Sequence, residues 1–368
     1  MMKMMKICCL AFVLLCCMCG CSQRPKTTQQ ATVANVFTPT EEATDSLSQL
    51  TQEATEASEY VPIMQEMSSI NSQGLLKYEL DEVGHCIIYN GGQMHIPYSF
   101  TYSGDALAKY GVAIYLCIDG RLQPFYTDID STVRYVHILQ PEEKSSGTVE
   151  VDLIFNPITG QCGDVLDLNI ISKQYPLWKW GDTEAEISGY TSGISTRIKF
   201  AQSPPMEELP ENTDRLISWQ CTYQDANHSE YESWTNHAYS LLERSMRVNH
   251  SDQRYAFGVD ADKALEVSFE LMNTAGVDYG LILFLDHQPI ATATDDLIYV
   301  QHSNSQKALI TVQIDMADFD GRGKIHAFLI PRNYIAAYGY ESDDVIDFVA
   351  TTEVHLFAES SWSEVIEK

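Results

Sequence analysis

Two stretches of this chain repeat each other, and that repetition limits the available folds more than any other feature. Tyr98-Ser99-Phe100 is followed by Tyr110-Gly111, the apolar run Val112 to Ile118, Asp119 and Gln123-Pro124. Further along, Val267-Ser268-Phe269 is followed by Tyr279-Gly280, the run Leu281 to Leu285, Asp286 and Gln288-Pro289. Upstream, Cys86 to Tyr89 matches Tyr255 to Val259. Downstream, Val133 to Ile138 matches Leu297 to His302, and Val149 to Phe155 matches Leu309 to Met316. Val165 to Ile171 then matches Lys324 to Ile330, and Thr196 to Phe200 matches Thr352 to Phe357. So many matches in one order mean a duplicated unit. Each copy has roughly 110 residues in which to close a core, a normal domain size.

The matched segments are short runs of Val, Ile, Leu and aromatics bounded by Gly, Asp, Asn or Pro, the composition of strands and turns. Thr148-Val149-Glu150-Val151-Asp152-Leu153 and Ile310-Thr311-Val312-Gln313-Ile314 alternate, which turns one face inward and the other to water. Seven such strands per copy resemble the immunoglobulin-like sandwich, with a jelly roll as the competing arrangement. The expected fold class is all-β: two tandem immunoglobulin-like sandwich domains, residues 78–200 and 255–362, after a disordered stalk. Residues 201–254 lie between them. Ala201 to Pro210 holds three prolines and reads as a linker, whereas Asn212 to Gln253 carries Trp219, Tyr223, Tyr231, Trp234 and Tyr239. Of the four cysteines beyond the leader, three lie in the first copy, Cys86 and Cys117 on its matched segments. The second copy has none, so the fold needs no bridge and both read as core residues.

At the N-terminus, Lys3 and Lys6 precede the apolar run Ile7 to Met18, which is too short to span a bilayer. Gly20 then precedes Cys21. These residues resemble the signal peptides of bacterial lipoproteins. The resemblance implies removal of residues 1–20, a thioether-linked diacylglycerol on Cys21 and an acylated (palmitate-type) new N-terminus. Several acyl chains hold a protein far more firmly than one. The expected location is the extracytoplasmic face of a bacterial membrane. From Ser22 to about Ser58 the chain is rich in Thr, Gln, Ala, Ser and Glu, and cannot bury enough surface to offset chain entropy. Residues 21–60 therefore read as a lipidated spacer.

The formal net charge of -28 repels phosphate backbones and anionic headgroups, so no nucleic-acid partner is expected. No HExxH, GxSxG, Walker or Rossmann motif occurs, and no catalytic residue, cofactor or metal is expected. Asp315 to Gly321 gathers three carboxylates but lacks the full calcium loop, and reads as a turn. The ten histidines show no ligand spacing. One constellation repeats: Tyr175, Trp178, Trp180 and Asp182 follow the sixth strand of the first copy, and Tyr334, Tyr338, Tyr340 and Glu341 that of the second. Loops at the ends of sandwiches often carry binding. These aromatics are candidate ligand-binding residues for a surface protein or glycan, with ordinary packing as the alternative. The expected function is a binding module on a stalk. An assembly subunit of an envelope complex is the second reading, and a hydrolase the third.

Overall fold

In the computed structural model of this chain, residues 69–358 are described. Excepted are 180–189, 226–245, 250–255, 273–277, 292–297, 301–305, 333–348 and some shorter stretches. All described residues fall in one compact unit, Met64–Lys368. Its first sandwich opens with β1 (Ser69–Leu75), β2 (Ile87–Tyr89), β3 (Met94–Ser103) and a short helix α1 (Ala106–Tyr110). There follow β4 (Val112–Ile118), β5 (Arg121–Leu122), β6 (Tyr126–Thr127), β7 (Val136–Leu139), β8 (Ser146–Phe155), β9 (Val165–Gln174) and β10 (Thr191–Phe200). The second sandwich contains β11 (Leu216–Asp225), β12 (Arg247–Val248), β13 (Ala256–Val259), β14 (Leu265–Met272), β15 (Asp278–Leu285) and β16 (Gln288–Pro289). It ends with β17 (Ile298–Val300), β18 (Gln306–Ile314), β19 (Arg322–Arg332), β20 (Val349–Ala350) and β21 (Val354–Ala358).

All seven matched segments carry a strand in both copies. In the first sandwich a sheet β1-β3-β8-β6 faces a sheet β2-β10-β9-β4-β5, with β7 beside β4. In the second, β11-β18-β14-β12 faces β13-β21-β19-β15-β16. This is the immunoglobulin-like order rather than a jelly roll. The parallel pairing of β2 with β10 recurs as that of β13 with β21. Alternation does its expected work in β3 and β8, where Ile96, Tyr98 and Phe100 meet Val151, Leu153 and Phe155 in one core. Val267, Phe269, Ile310 and Val312 do the same in the second. Cys86 and Cys117 are fully buried.

Strand identity survives the comparison of the copies better than residue alignment does. Both β4 and β15 end in a two-residue turn, Asp119-Gly120 and Asp286-His287, with positive φ at each position. Anchored there, Ile118 corresponds to Leu285, because Ile118 pairs Arg121 where Leu285 pairs Gln288. The Tyr-Gly and Gln-Pro pairs aligned by sequence are therefore out of step. Tyr110-Gly111 closes α1, while Tyr279-Gly280 lies inside β15.

Nothing in the spacing of the copies announces how the sandwiches meet. β4 is buried along its whole length and β15 from Tyr279 to Leu285, so both faces of these strands are covered. Ala113, Tyr115, Cys117 and Ile171 of the first sandwich form a third core with Ile282, Phe284, Phe328 and Ile330 of the second. The inner sheets thus pack on each other, giving four layers. The backbones come so close that a Cβ on Gly280 would run into the Gly120 carbonyl. Beside them, Arg332 Nε donates to the Asp119 carbonyl at 2.9 Å, and its guanidinium lies 3.6 Å from the Asp119 carboxylate.

Candidate functional site

The sequence-proposed loop reaches this junction, but not as an open aromatic face. Tyr175 has φ 58° and turns the chain directly after β9. The N–H groups of Tyr175 and Leu177 donate to the carbonyls of Gly111 and Tyr110, each at 3.0 Å, which folds the loop over α1. Tyr175 then meets Tyr110 edge-on at 6.4 Å. Trp178 packs edge-on against His355 at 5.1 Å, with the Lys324 ammonium 5.7 Å from its ring centre. Both rings are buried, Tyr175 at 2% exposure and Trp178 at 7%. Trp180, Tyr334, Tyr338, Tyr340 and Cys21 lie outside the described residues.

What this loop offers the second sandwich is its backbone. Lys324 Nζ donates to the carbonyls of Tyr175 (3.3 Å) and Pro176 (3.2 Å). His287 Nε2 donates to the Pro176 carbonyl at 3.0 Å. Neutral His287 therefore accepts at Nδ1, and the Tyr115 hydroxyl donates to it at 2.8 Å. The same hydroxyl oxygen lies 3.3 Å from His326 Nε2. Below, the Glu353 carboxylate sits 3.5 Å from Lys173 Nζ and 3.6 Å from Lys324 Nζ. Apolar rings wall the cluster: Phe284 stacks on His326 at 4.9 Å, and Tyr115 stands edge-on to Phe284 and Phe328. Strands β4 and β9 supply one half of the site, β19 and the turn after β15 the other, and Glu353 immediately precedes β21.

Electrostatics follow from this burial. Loss of water pushes His287 and His355 down to about 4 and holds His326 well below its ordinary 6.5. Burial alone would raise Glu353, but the charges of Lys173 and Lys324 outweigh it and lower the carboxyl below its ordinary 4.5. Between about pH 6.5 and 4 the unfolded chain therefore binds protons on these histidines that the folded chain does not, so stability falls as the pH falls. Asp167, raised by burial to about 6, opposes this, because its folded form keeps a proton that the unfolded form has lost. Asp286 is raised likewise, and His137 is lowered and adds to the histidine side. The histidines outnumber the carboxyls. The contribution of Glu353, present above pH 4.5, disappears as the pH falls through its folded value below that. The expected result is an unfolding free energy, read from urea titrations, that drops steadily from pH 6.5 to 4, by about 1.4 kcal/mol per pH unit for each net histidine, with the midpoint falling in step. A flat midpoint over that range would contradict buried neutral rings.

One nitrogen from each of His287 and His326 and one oxygen of Glu353 lie within 4.8 Å of one another. That donor set suits a transition metal in type, but its surroundings do not fit one. Both nitrogens of His287 are engaged, and two ammonium groups already neutralise Glu353 and would repel a dication. Acid–base residues are present too, yet Tyr115 and His326 are fully buried and Lys173 is 1% exposed. A reaction needs access, and only His287 reaches the edge of a cavity, while Tyr115, Lys173 and His326 stay behind it. Its arrangement suits a hydrogen-bonded clamp between two domains.

Sequence reasoning missed Tyr115, Lys173, His287, Lys324, His326 and Glu353. One signal for the junction was legible: Val112 to Ile118 and Leu281 to Leu285 are apolar without alternation, which marks strands covered on both faces. The polar members left no local pattern, since they come from three strands, a turn and the residue before β21, and are covered only when the two sandwiches meet.

No protein-family model matches the chain, and no curated protein matches it. Among solved structures, it is similar to the Salmonella enterica SafA pilin in complex with the SafB chaperone. That match has 11% identity and a TM-score of 0.21, and covers 77% of this chain and 97% of that one. It is also similar to the N-terminal Ig1-2 module of the Drosophila receptor protein tyrosine phosphatase DLAR. Identity there is 5% and the TM-score 0.18, with 78% of this chain and 98% of that one covered. A chicken TCR matches at 9% identity and TM-score 0.19, over 76% and 98%. The architecture itself is read from the strand order above.

Proposed function

We propose that this chain is a lipid-anchored protein of the extracytoplasmic face of a bacterial membrane that holds two immunoglobulin-like sandwiches as one rigid body and binds a protein partner. The observation that carries this reading is the junction. It spends the polar groups most suited to chemistry on a buried contact between the sandwiches, so the unit is built to hold a shape rather than to turn over a substrate. Rigid display favours affinity by lowering the ordering cost of binding. Support for the anchor comes from Lys3, Lys6, the apolar run Ile7 to Met18 and Gly20-Cys21, and residues 22–58 suit a spacer by composition. The glycan alternative leaned on exposed rings, and Tyr175 and Trp178 are buried.

Anchoring has a direct test. Cys21→Ala should abolish incorporation of labelled palmitate and leave an unprocessed precursor, whereas Cys19→Ala should do neither. Labelling that survives Cys21→Ala sinks the anchor. Cross-linking on intact cells should then recover a surface protein with the anchored chain, and recovery of none would sink the binding reading.

A further inference from the structure

The two copies treat one sheet edge differently. In the second sandwich, β11 covers the outer edge of β18 from Leu216↔Ile314 to Asp225↔Gln306. The equivalent edge of the first belongs to β8, as the shared partners show: Phe100 pairs Val149 where Phe269 pairs Ile310. There β6 starts at the same place as β11, with Thr127↔Leu153 matching Leu216↔Ile314. It stops after two residues. The Asp128 carboxylate takes the Asp152 N–H at 2.9 Å, and the Asp130 N–H donates to Thr127 Oγ1 at 2.9 Å, turning the chain away. Asp152 thus faces the outer edge, and by the period of two so do the backbone groups of Glu150, Thr148 and Ser146. Among the described residues no strand pairs them.

Burial independently reports the missing strand. Ile310 is 0% exposed beneath β11, where Cys221 lies opposite it and Trp219 lies opposite Val312. Its counterpart Val149 is only half-buried, and lines a cavity of about 540 Å³ together with Ile129 and Ile138. Ile129 (65% exposed) and Ile138 (39%) are apolar side chains open to water. Glu150 and Asp152 lie on β8 and Asp128 pairs beside it, while Arg134, which lines the cavity, is already held by Asp130 at 3.5 Å. Natural sheets blunt open edges with lysine, proline or bulges. Residues 146–151 have no lysine, proline or bulge, and Glu150 is their single charge; their register against β3 is unbroken.

We infer that the open edge of β8 is a docking site for an extended segment of a partner protein, which adds as an antiparallel strand where β11 lies in the second copy. This rests on the protein-binding reading above and names its surface. The cross-strand positions specify the segment: apolar residues opposite Val149 and Val151, and a lysine or arginine opposite Glu150. A second copy of this chain fits less well, because its own acidic edge would face Glu150 and both carry a net charge of -28.

The test selects a display library of random peptides of about ten residues on the full-length chain in detergent. Enriched peptides should be proline-free, alternate apolar and basic, and slow hydrogen exchange at the Thr148 and Glu150 amides. Thr148→Pro removes an outward N–H without touching the β3 ladder and should weaken them roughly tenfold or more. Glu150→Lys, a change on the exposed face that leaves the core intact, should do the same for the basic peptides. Peptides that bind both variants as well as the parent would overturn the edge. So would protection of these amides before any peptide is added, which would assign the edge to the chain's own residues or to a second copy. A partner cross-linked on cells that holds both variants unchanged would overturn the edge while leaving the protein-binding reading standing.

Discussion

Glu353→Ala should destabilise the folded unit by about 3–5 kcal/mol, because it strands two buried ammonium groups. Lys173 and Lys324 are 1% and 6% exposed, and among the described residues the Glu353 carboxylate is the anion within 4 Å of both. The cost does not measure the worth of the ion pairs. Pairing of buried charges roughly offsets their desolvation, whereas an unpaired buried charge has no offset. A triple replacement, Lys173→Met with Lys324→Met and Glu353→Leu, should therefore recover most of the loss, and urea denaturation of both variants at pH 7 checks this. If Glu353→Ala unfolds at the parent's urea midpoint, the carboxylate is not where the structure puts it. The same variant should lose cooperativity between the sandwiches before it loses the fold of either, since each retains its own apolar core.

Trp178→Ala should cost about 3–5 kcal/mol in the same assay, the usual range for emptying a buried aromatic site. The ring is enclosed by His355, Lys324 and the loop that also delivers the Tyr175 and Pro176 carbonyls. Removing it would open a cavity beside buried charges, so collapse cannot refill it with apolar atoms alone. Trp178→Phe should restore about half of the stability, because the transfer of a large ring is kept while part of the volume is lost. An exposed binding ring would behave in the opposite way, with stability nearly unchanged and affinity lost. A parent-like melting curve for Trp178→Ala would return the residue to the surface role that its spacing suggests.

The sequence by itself determined the elements and their repetition. Period-two patterning in β3, β8, β14 and β18, turn residues between runs and the ordered matches were enough for two all-β sandwiches. These signals are local, each arising from a strand's own faces and ends. It also held a trace of the junction in the unalternating runs of β4 and β15. Only the tertiary structure decided how the copies align, that they share a core, and what fills it. The Tyr-Gly match misled because register is set by hydrogen-bonded partners and by the Asp119-Gly120 and Asp286-His287 turns, not by residue identity. Tyr115, His287, His326 and Glu353 were invisible as a group because a polar residue on a strand, in a turn or beside a strand end is read locally as solvent-facing. Their burial depends on a second sheet covering that face, far along the chain. The edge of β8, which no strand pairs among the described residues, is the same lesson in reverse. Its residues alternate as well as those of β18, and only the whereabouts of β11 and the early turn at Asp128 distinguish a covered edge from a bare one.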